Sequence, residues 1–332
     1  MSEIVALVLA AGQSRRMKSR LSKVLHPIAG RPLLHYPVRV AFELGATRVV
    51  VITSPKDEAT IARYVASAFP GRDVLTAVQA TAQGTGHAVR CGLERLGKAS
   101  AERALILYGD VPLVTARELS KLAEPSAGLT MTTCLLDDPT GYGRIVRDAS
   151  GAAVGIREHK DLTSDEERAI REINAGLYSA PLAPLVQAIE GLSNDNAQRE
   201  YYLTDIVPYF AARSGVSTAR VSLDAVRGVN DRVQLWEAQE TMNERIVSAH
   251  RRAGASIGAG VWIDDAVSIG SDADIGAQCH LRGSTVLGER VILDVGCVLT
   301  DVTLEPGTRL RPYTVIGEPV PSPFDVVPAS RR

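Results

Sequence analysis

Cysteine is scarce in this 332-residue chain. Cys91, Cys134, Cys279 and Cys297 form neither a CxxC pair nor a metal-ligand spacing. Each stands among apolar or small residues, which predicts buried free thiols in a reducing compartment. A charge excess is missing too: 37 basic against 38 acidic residues leave −1. That argues against a dedicated nucleic-acid binder, while a local basic pocket stays compatible with it. No membrane-length apolar run is present. The run at Ile4 to Leu9 lacks a charged leader and is too short for a signal or a span, so no membrane is expected and the cytoplasm is the default. The two commonest phosphate loops are also missing. There is no GKS or GKT, and G-x-G-x-x-G is excluded because Gly12 is the only glycine before Gly30.

What is there is an ordinary globular composition, 45% hydrophobic and 23% charged, in a chain too long for one small core. Two domains are expected. Residues 1 to about 230 alternate strand-like and helix-like stretches. Val49–Thr53, Val74–Gln79, Ala104–Tyr108 and Leu129–Leu136 read as strands; Lys56–Ala68 and His87–Leu96 read as helices. This alternation predicts an α/β, Rossmann-like domain with a mostly parallel sheet and helices on both faces. From Arg227 to about Arg252 the pattern is one long polar helix, read as a linker. After Gly254 the period changes. Ile257, Ile263, Ile269, Ile275, Leu281, Leu287, Leu293 and Leu299 recur every six residues, and Leu304, Leu310 and Ile316 continue after one five-residue step. Glycine often follows the apolar position, and a small or β-branched residue stands four further on. This is a hexapeptide repeat, the sign of a parallel β-helix of stacked coils. The proline-rich stretch 319–332 reads as an extended tail.

The chemistry centres on Ile4 to Leu34. The apolar run ends at Leu9, and Ala10, Ala11 and Gly12 follow, small enough for the backbone to pass close to a bulky group; glycine also tolerates unusual φ values. Then come Arg15, Arg16, Lys18, Arg20 and Lys23, five cations in nine residues. A buried strand, a small-residue turn and a basic loop suit a phosphate bound off the carboxyl end of the strand. On these residues alone, a solvated basic face fits equally well.

Further along, QATAQGTGHA places Gln79, Gly84 and Thr85 in a turn able to approach a flat ring. An amide matches the imide edge of uracil, though a plain loop-to-helix cap also fits. Asp110 follows the strand ending at Tyr108 and suits a divalent cation beside phosphates; a turn or N-cap aspartate is the alternative.

In their order, L-A-A-G, S-K-V-L-H-P-I-A-G-R-P-L-L, Y-G-D-V-P-L, D-P-T-G-Y-G-R, E-H-K, E-I-N-A-G and N-D-N-A-Q-R-E-Y-Y-L-T-D resemble the sugar-1-phosphate nucleotidylyltransferases, most closely the bacterial N-acetylglucosamine-1-phosphate uridyltransferases. The resemblance covers residues 4 to 318. It implies a nucleotidyltransferase domain over 1–228, a helix over 229–253 and a short left-handed β-helix over 254–318. It implies that UTP and N-acetylglucosamine 1-phosphate are the substrates, Mg²⁺ the cofactor and a homotrimer the assembly. Arg16 and Lys23 fall on the catalytic phosphate contacts. Leu9 to Gly12, Gln79, Gly84 and Thr85 fall on the nucleotide contacts. Tyr108, Gly143, Glu158, Asn174 and Asn230 fall on the sugar contacts, and Asp110 with Asn230 on the metal ligands. His87 is expected to be structural. Two departures stand out: one extra residue around Ser150-Gly151, expected to leave the site intact, and Arg199 where the family has glycine. The repeat is shorter than the family's, so the family's second activity, acetyl transfer, is not expected.

Overall fold

Ile4–Leu9 is buried at every position and forms β1, the strand around which the first unit is laid down. The computed structural model describes residues 3–12, 14–97 and 101–318, so the 319–332 tail lies outside the described residues. β1 pairs in parallel with β2 (Ala46–Thr53), and β2 with β3 (Asp73–Val78). On its other edge β1 pairs in parallel with β4 (Arg103–Tyr108). Unbroken Val/Ile/Leu runs are what a parallel sheet covered on both faces requires.

The sheet is not parallel throughout. After β5 (Leu129–Leu135) come the hairpin strands β6 (Arg144–Arg147) and β7 (Ala153–Arg157), then β8 (Glu172–Pro181) and β9 (Val216–Arg220). β8 lies antiparallel between β4 and β5, giving the order β9-β5-β8-β4-β1-β2-β3. The turn around Ser150-Gly151 joins β6 to β7. Val146 pairs with Gly155 but Arg147 with Ala153, a register shift at the hairpin end. There Asp148 Oδ1 accepts from the N–H groups of Ser150 and Ala152 at 2.9 and 3.1 Å. The irregularity is a bulge at the turn end of the hairpin.

The second unit takes Arg16–Leu21, Leu25–Leu33 and the chain from Val229. Its long helix, Arg232–Arg252, starts five residues later than the sequence pattern suggests. Asp231 caps it, its carboxylate accepting the Gln234 N–H at 2.9 Å. Nor is it a bare linker. Asn243 donates to the Val261 carbonyl at 2.9 Å and accepts the Ile263 N–H at 3.0 Å, which ties the helix to the first coil.

Beyond it, two- and three-residue strands stack into three parallel sheets, consistent with a left-handed β-helix. The six-residue period has a direct cause: each apolar residue ends a face and points inward. Ile275, Leu281, Leu293 and Leu299 are at most 1% exposed. The five-residue step shortens the later coils, so Leu281 pairs with Leu299 but Leu287 with Leu304. The recurring glycines answer to stacking. A Cβ on Gly270 would stand 2.6 Å from the Glu289 nitrogen of the next coil, and one on Gly276 2.8 Å from Asp294 backbone. Backbone cannot yield there as a side-chain tip can. We expect Gly270→Ala to lower stability by about 1–3 kcal/mol, measured by urea titration.

The thiols mostly fit the expectation. Cys134, Cys279 and Cys297 are buried and free, whereas Cys91 is only half-buried. The coils bring Cys279 and Cys297 together, although 18 residues separate them in sequence, and burial pushes the Cys279 thiol up to about 11.

Candidate active site

The carboxyl ends of β1 and β4 leave the sheet side by side. Leu9 pairs with Tyr108, the Gly109 N–H donates to the Leu9 carbonyl at 2.9 Å, and the Ala10 N–H donates to Ile52 at 2.7 Å. Ala10 to Gly12 and Tyr108 to Asp110 therefore emerge from neighbouring strands. Ala10 is buried and Gly12 exposed. Gly12 does not adopt a left-handed φ, contrary to one use suggested for it, and a Cβ there would meet nothing within 4 Å. The fold itself does not demand glycine at this position.

Lys23 reaches Asp110. Its ammonium donates to Asp110 Oδ2, both side chains being mostly covered, at 12% and 18% exposure. The Lys23 N–H is held by the Ser14 hydroxyl at 2.8 Å. The sequence places these groups 87 residues apart; the sheet joins them. Arg16, exposed on the short 3₁₀ turn Arg15–Met17, and Asn230, half-buried just before the long helix, both belong to the second unit.

The segment 79–87 is clamped from elsewhere in the chain. Gly84 holds a φ of 102°, and a Cβ there would stand 2.6 Å from the Tyr201 carbonyl. The Gly86 N–H donates to that carbonyl at 2.8 Å, and the Tyr201 N–H donates to Gln83 at 2.8 Å. Thr85 accepts the Leu203 N–H through its hydroxyl at 3.2 Å while opening the helix Thr85–Leu96. The buried Gln79 turns its amide nitrogen to the Gly84 carbonyl at 3.0 Å, with the His87 ring at 3.2 Å. Only its carbonyl oxygen is left to read a ligand, and the His87 ring is engaged by the Gln79 amide and lies 3.8 Å from Cys91 Sγ. Gly84→Ala, with its left-handed φ and blocked Cβ, is expected to cost about 1–3 kcal/mol, read from chemical denaturation.

A third group gathers behind Tyr108. The Asn174 N–H donates to the Gly143 carbonyl at 2.9 Å, and a Cβ on Gly143 would come within 3.4 Å of Glu158 Oε1. The Asn174 amide donates to the Tyr178 hydroxyl at 2.7 Å and accepts the Gly176 N–H at 3.0 Å. Gly176 in turn lets the Tyr108 ring pass; a Cβ there would be 3.1 Å from it. Glu158 accepts from the Thr204 hydroxyl at 3.1 Å. Burial first, and the nearby Asp161 and Asp205 next, push its carboxyl above the usual range, with Thr204 pulling the other way. Burial, Asp110 and Glu158 likewise raise the Tyr108 phenol. The structure thus joins Gly143, Glu158 and Asn174, and sets Tyr108 beside Asp110 and Glu158.

Sequence reasoning gave no role to Thr204, Tyr178 or Tyr201. Thr204 and Tyr201 stand in the motif E-Y-Y-L-T-D, which was visible, but their partners are remote in sequence. Arg199 is explained by its backbone. It holds a φ of 55° with its side chain exposed, so the conformation that glycine favours is kept by arginine.

Among the described residues no cluster of three acidic, histidine or cysteine side chains could hold a metal. A single carboxylate beside a lysine fits a cation that takes one or two protein oxygens and keeps phosphate oxygens and water, as Mg²⁺ does, and fits zinc poorly.

Residues 6–197 match the MobA-like NTP transferase domain. Over 323 residues the chain is 46% identical to the bifunctional protein GlmU of Sorangium cellulosum, covering 95% of this chain and 68% of that one. It is 43% identical over 321 residues to GlmU of Anaeromyxobacter dehalogenans, covering 95% of this chain and 65% of that one. It is 41% identical over 319 residues to GlmU of Corynebacterium efficiens, covering 93% and 65%. The chain spans about two thirds of the length of the curated relatives it matches.

Proposed function

We infer the function of this chain from its family: it belongs to the MobA-like NTP transferases and, with them, to the GlmU proteins, and its chemistry is nucleotidyl transfer. We propose that UTP and N-acetylglucosamine 1-phosphate give UDP-N-acetylglucosamine and diphosphate. An oxygen of the sugar phosphate forms a bond to the α-phosphorus, and the bond from that phosphorus to the bridging oxygen breaks, with diphosphate leaving. No general base is needed, because the attacking oxygen is already ionised. Positioning and charge neutralisation carry the reaction. The observation that supports this most is the Lys23–Asp110 pair at the mouth of β1 and β4.

Lys23 would neutralise charge developing on the phosphates and the leaving group. Leu9 to Gly12, with open space at Gly12, would let backbone approach the nucleotide. Gln79 would accept from the uracil imide through its remaining oxygen, within the turn made by Gly84 and Thr85. Gly143, Glu158, Asn174 and Tyr108 would receive the sugar. Asp110 would hold Mg²⁺, which when bound supplies charge neutralisation at the phosphates. Arg16 and Asn230 keep, as proposals, the phosphate and metal roles that the resemblance gives them. A homotrimer is proposed on the same ground, with sedimentation as its test, and a reducing cytoplasm as its setting. Acetyl transfer is not proposed.

Glu158 gives the reading a pH signature. It must be ionised to accept two sugar hydroxyl protons. A folded pKa above the unfolded one means that the buried carboxyl favours the fold at low pH and withdraws that contribution as pH rises through the folded value. The proton therefore returns at a higher pH than for a free glutamate, whose value is about 4.3. We expect KM for the sugar phosphate to climb on acidification from above that range. Glu158→Gln should flatten the climb and raise KM at neutral pH.

Diphosphate release from UTP with N-acetylglucosamine 1-phosphate, compared with the glucose, galactosamine and unacetylated sugar phosphates, tests the specificity. Preference for the first supports the reading. Equal rates with all would remove Gly143, Glu158 and Asn174 from acetamido recognition.

A further inference from the structure

The chain holds two tryptophans, and both line one cavity of about 340 Å³ in the second unit. Trp236 lies on the long helix and is 52% exposed, costly for so large a side chain with nothing against its outer face. Trp262 stands on the outside of a coil strand because its neighbour Ile263 points inward, and it pairs with His280 of the next coil. The two indole rings meet at 48° with centroids 5.4 Å apart, forming an aromatic notch. Gln239, one helical turn from Trp236, Asp264, His280 and Arg282 complete the wall.

The polar groups here are placed but unused. Among the described residues, the side chains of Gln239, His280 and Arg282 and both indole N–H groups make no hydrogen bond. Asp264 spends one oxygen on the Gly283 N–H at 2.8 Å, and Gly30 packs against it so closely that a Cβ there would stand 2.6 Å away. Its carboxylate is therefore held in place. The cavity offers a fixed acceptor in Asp264, a donor fork in Arg282 and an amide that does both in Gln239, all beside two π faces. The charges of Asp264 and Arg282 oppose each other, so an inorganic anion gains little and an apolar ring would leave the polar groups unmatched. The volume lies within the range of small-molecule sites, about 300–1,000 Å³.

We propose that this cavity binds a flat nitrogen heterocycle of the nucleobase class, its ring against Trp236 and Trp262 and its donor–acceptor edge on Asp264, Arg282 and Gln239. None of the residues that line the cavity is among those assigned to catalysis, and the proposal does not rest on the proposed reaction.

Because both tryptophans are in the cavity, their fluorescence reports on it alone. The full-length chain is titrated with guanosine, adenosine and uridine, and with ribose 5-phosphate as the ring-free control. We expect saturable quenching by at least one nucleoside, none by ribose 5-phosphate, and an affinity about tenfold weaker in Arg282→Met and in Gln239→Leu, each checked for folding by circular dichroism. Lys23→Ala should leave the quenching intact. No saturable quenching by any nucleoside at millimolar concentration would overturn the proposal. So would equal affinity in both cavity variants, or loss of quenching in Lys23→Ala.

Discussion

Lys23→Ala is expected to lower kcat by about 10³-fold, a loss of about 4 kcal/mol of transition-state stabilisation, with the fold retained. The magnitude follows from position. The ammonium comes from a loop anchored by Ser14 and ends at the carboxyl edge of two buried parallel strands, mostly shielded from water. Charge placed in such a site requires no rearrangement as the leaving group forms. Lys23→Arg should recover little, because the larger planar guanidinium cannot set its charge where the compact ammonium sits. Stopped-flow or coupled diphosphate assays read the effect directly. A Lys23→Ala rate near wild type would remove this residue from the mechanism.

Asp110→Asn is expected to be about as damaging, roughly 10²–10³-fold in kcat, with a higher metal concentration needed for half-maximal rate. The substitution keeps the shape and one oxygen and removes the charge, so it separates electrostatics from packing. It also takes the Asp110 charge away from Lys23. The single variants should each lose more stability than the double variant implies by addition, with a coupling of about 1–3 kcal/mol in a thermodynamic cycle. A coupling of zero would mean that the pair forms without mutual dependence. An Asp110→Asn enzyme with an unchanged metal titration would remove Asp110 as the metal ligand.

Much of this was readable from residues one after another. The strand at Ile4–Leu9, the small-residue exit and the cations that follow are local features. So is the hexad, whose period is the width of one β-helix face. What could not be read depends on residues far apart. Nothing in Ala104–Tyr108 or Leu129–Leu135 says that an antiparallel strand will come between them, because buried strands of either direction carry the same apolar run. Gly84 of G-T-G-H is explained by its left-handed φ and by Glu200 and Tyr201, which pack on it from more than a hundred residues away. Gln79 looks from its chemistry like a free reader of uracil, yet half of its amide is spent holding its own loop. The long helix starts at Arg232 rather than Arg227, because the cap at Asp231 sets its boundary.

Arg199 shows the reverse case, in which sequence flagged the residue and structure supplied the reason. A left-handed φ of 55° costs an L-residue about 1–2 kcal/mol, and glycine removes that cost while adding about 0.5–1 kcal/mol of lost chain entropy. Arg199→Gly should therefore stabilise by roughly 0.5 kcal/mol in thermal or urea unfolding, with the sugar-phosphate KM unchanged because the side chain faces solvent.

The central claim is that this chain moves a uridylyl group from UTP to an acetamido-sugar phosphate. The most direct measurement is transfer of label from UTP carrying a radioactive α-phosphate, incubated with N-acetylglucosamine 1-phosphate and Mg²⁺ and resolved by chromatography. The account predicts label in UDP-N-acetylglucosamine, in an amount equal to the diphosphate released, and its near disappearance in Lys23→Ala. Label that stays in UTP, or that passes only to UMP whether or not the sugar phosphate is present, would contradict it.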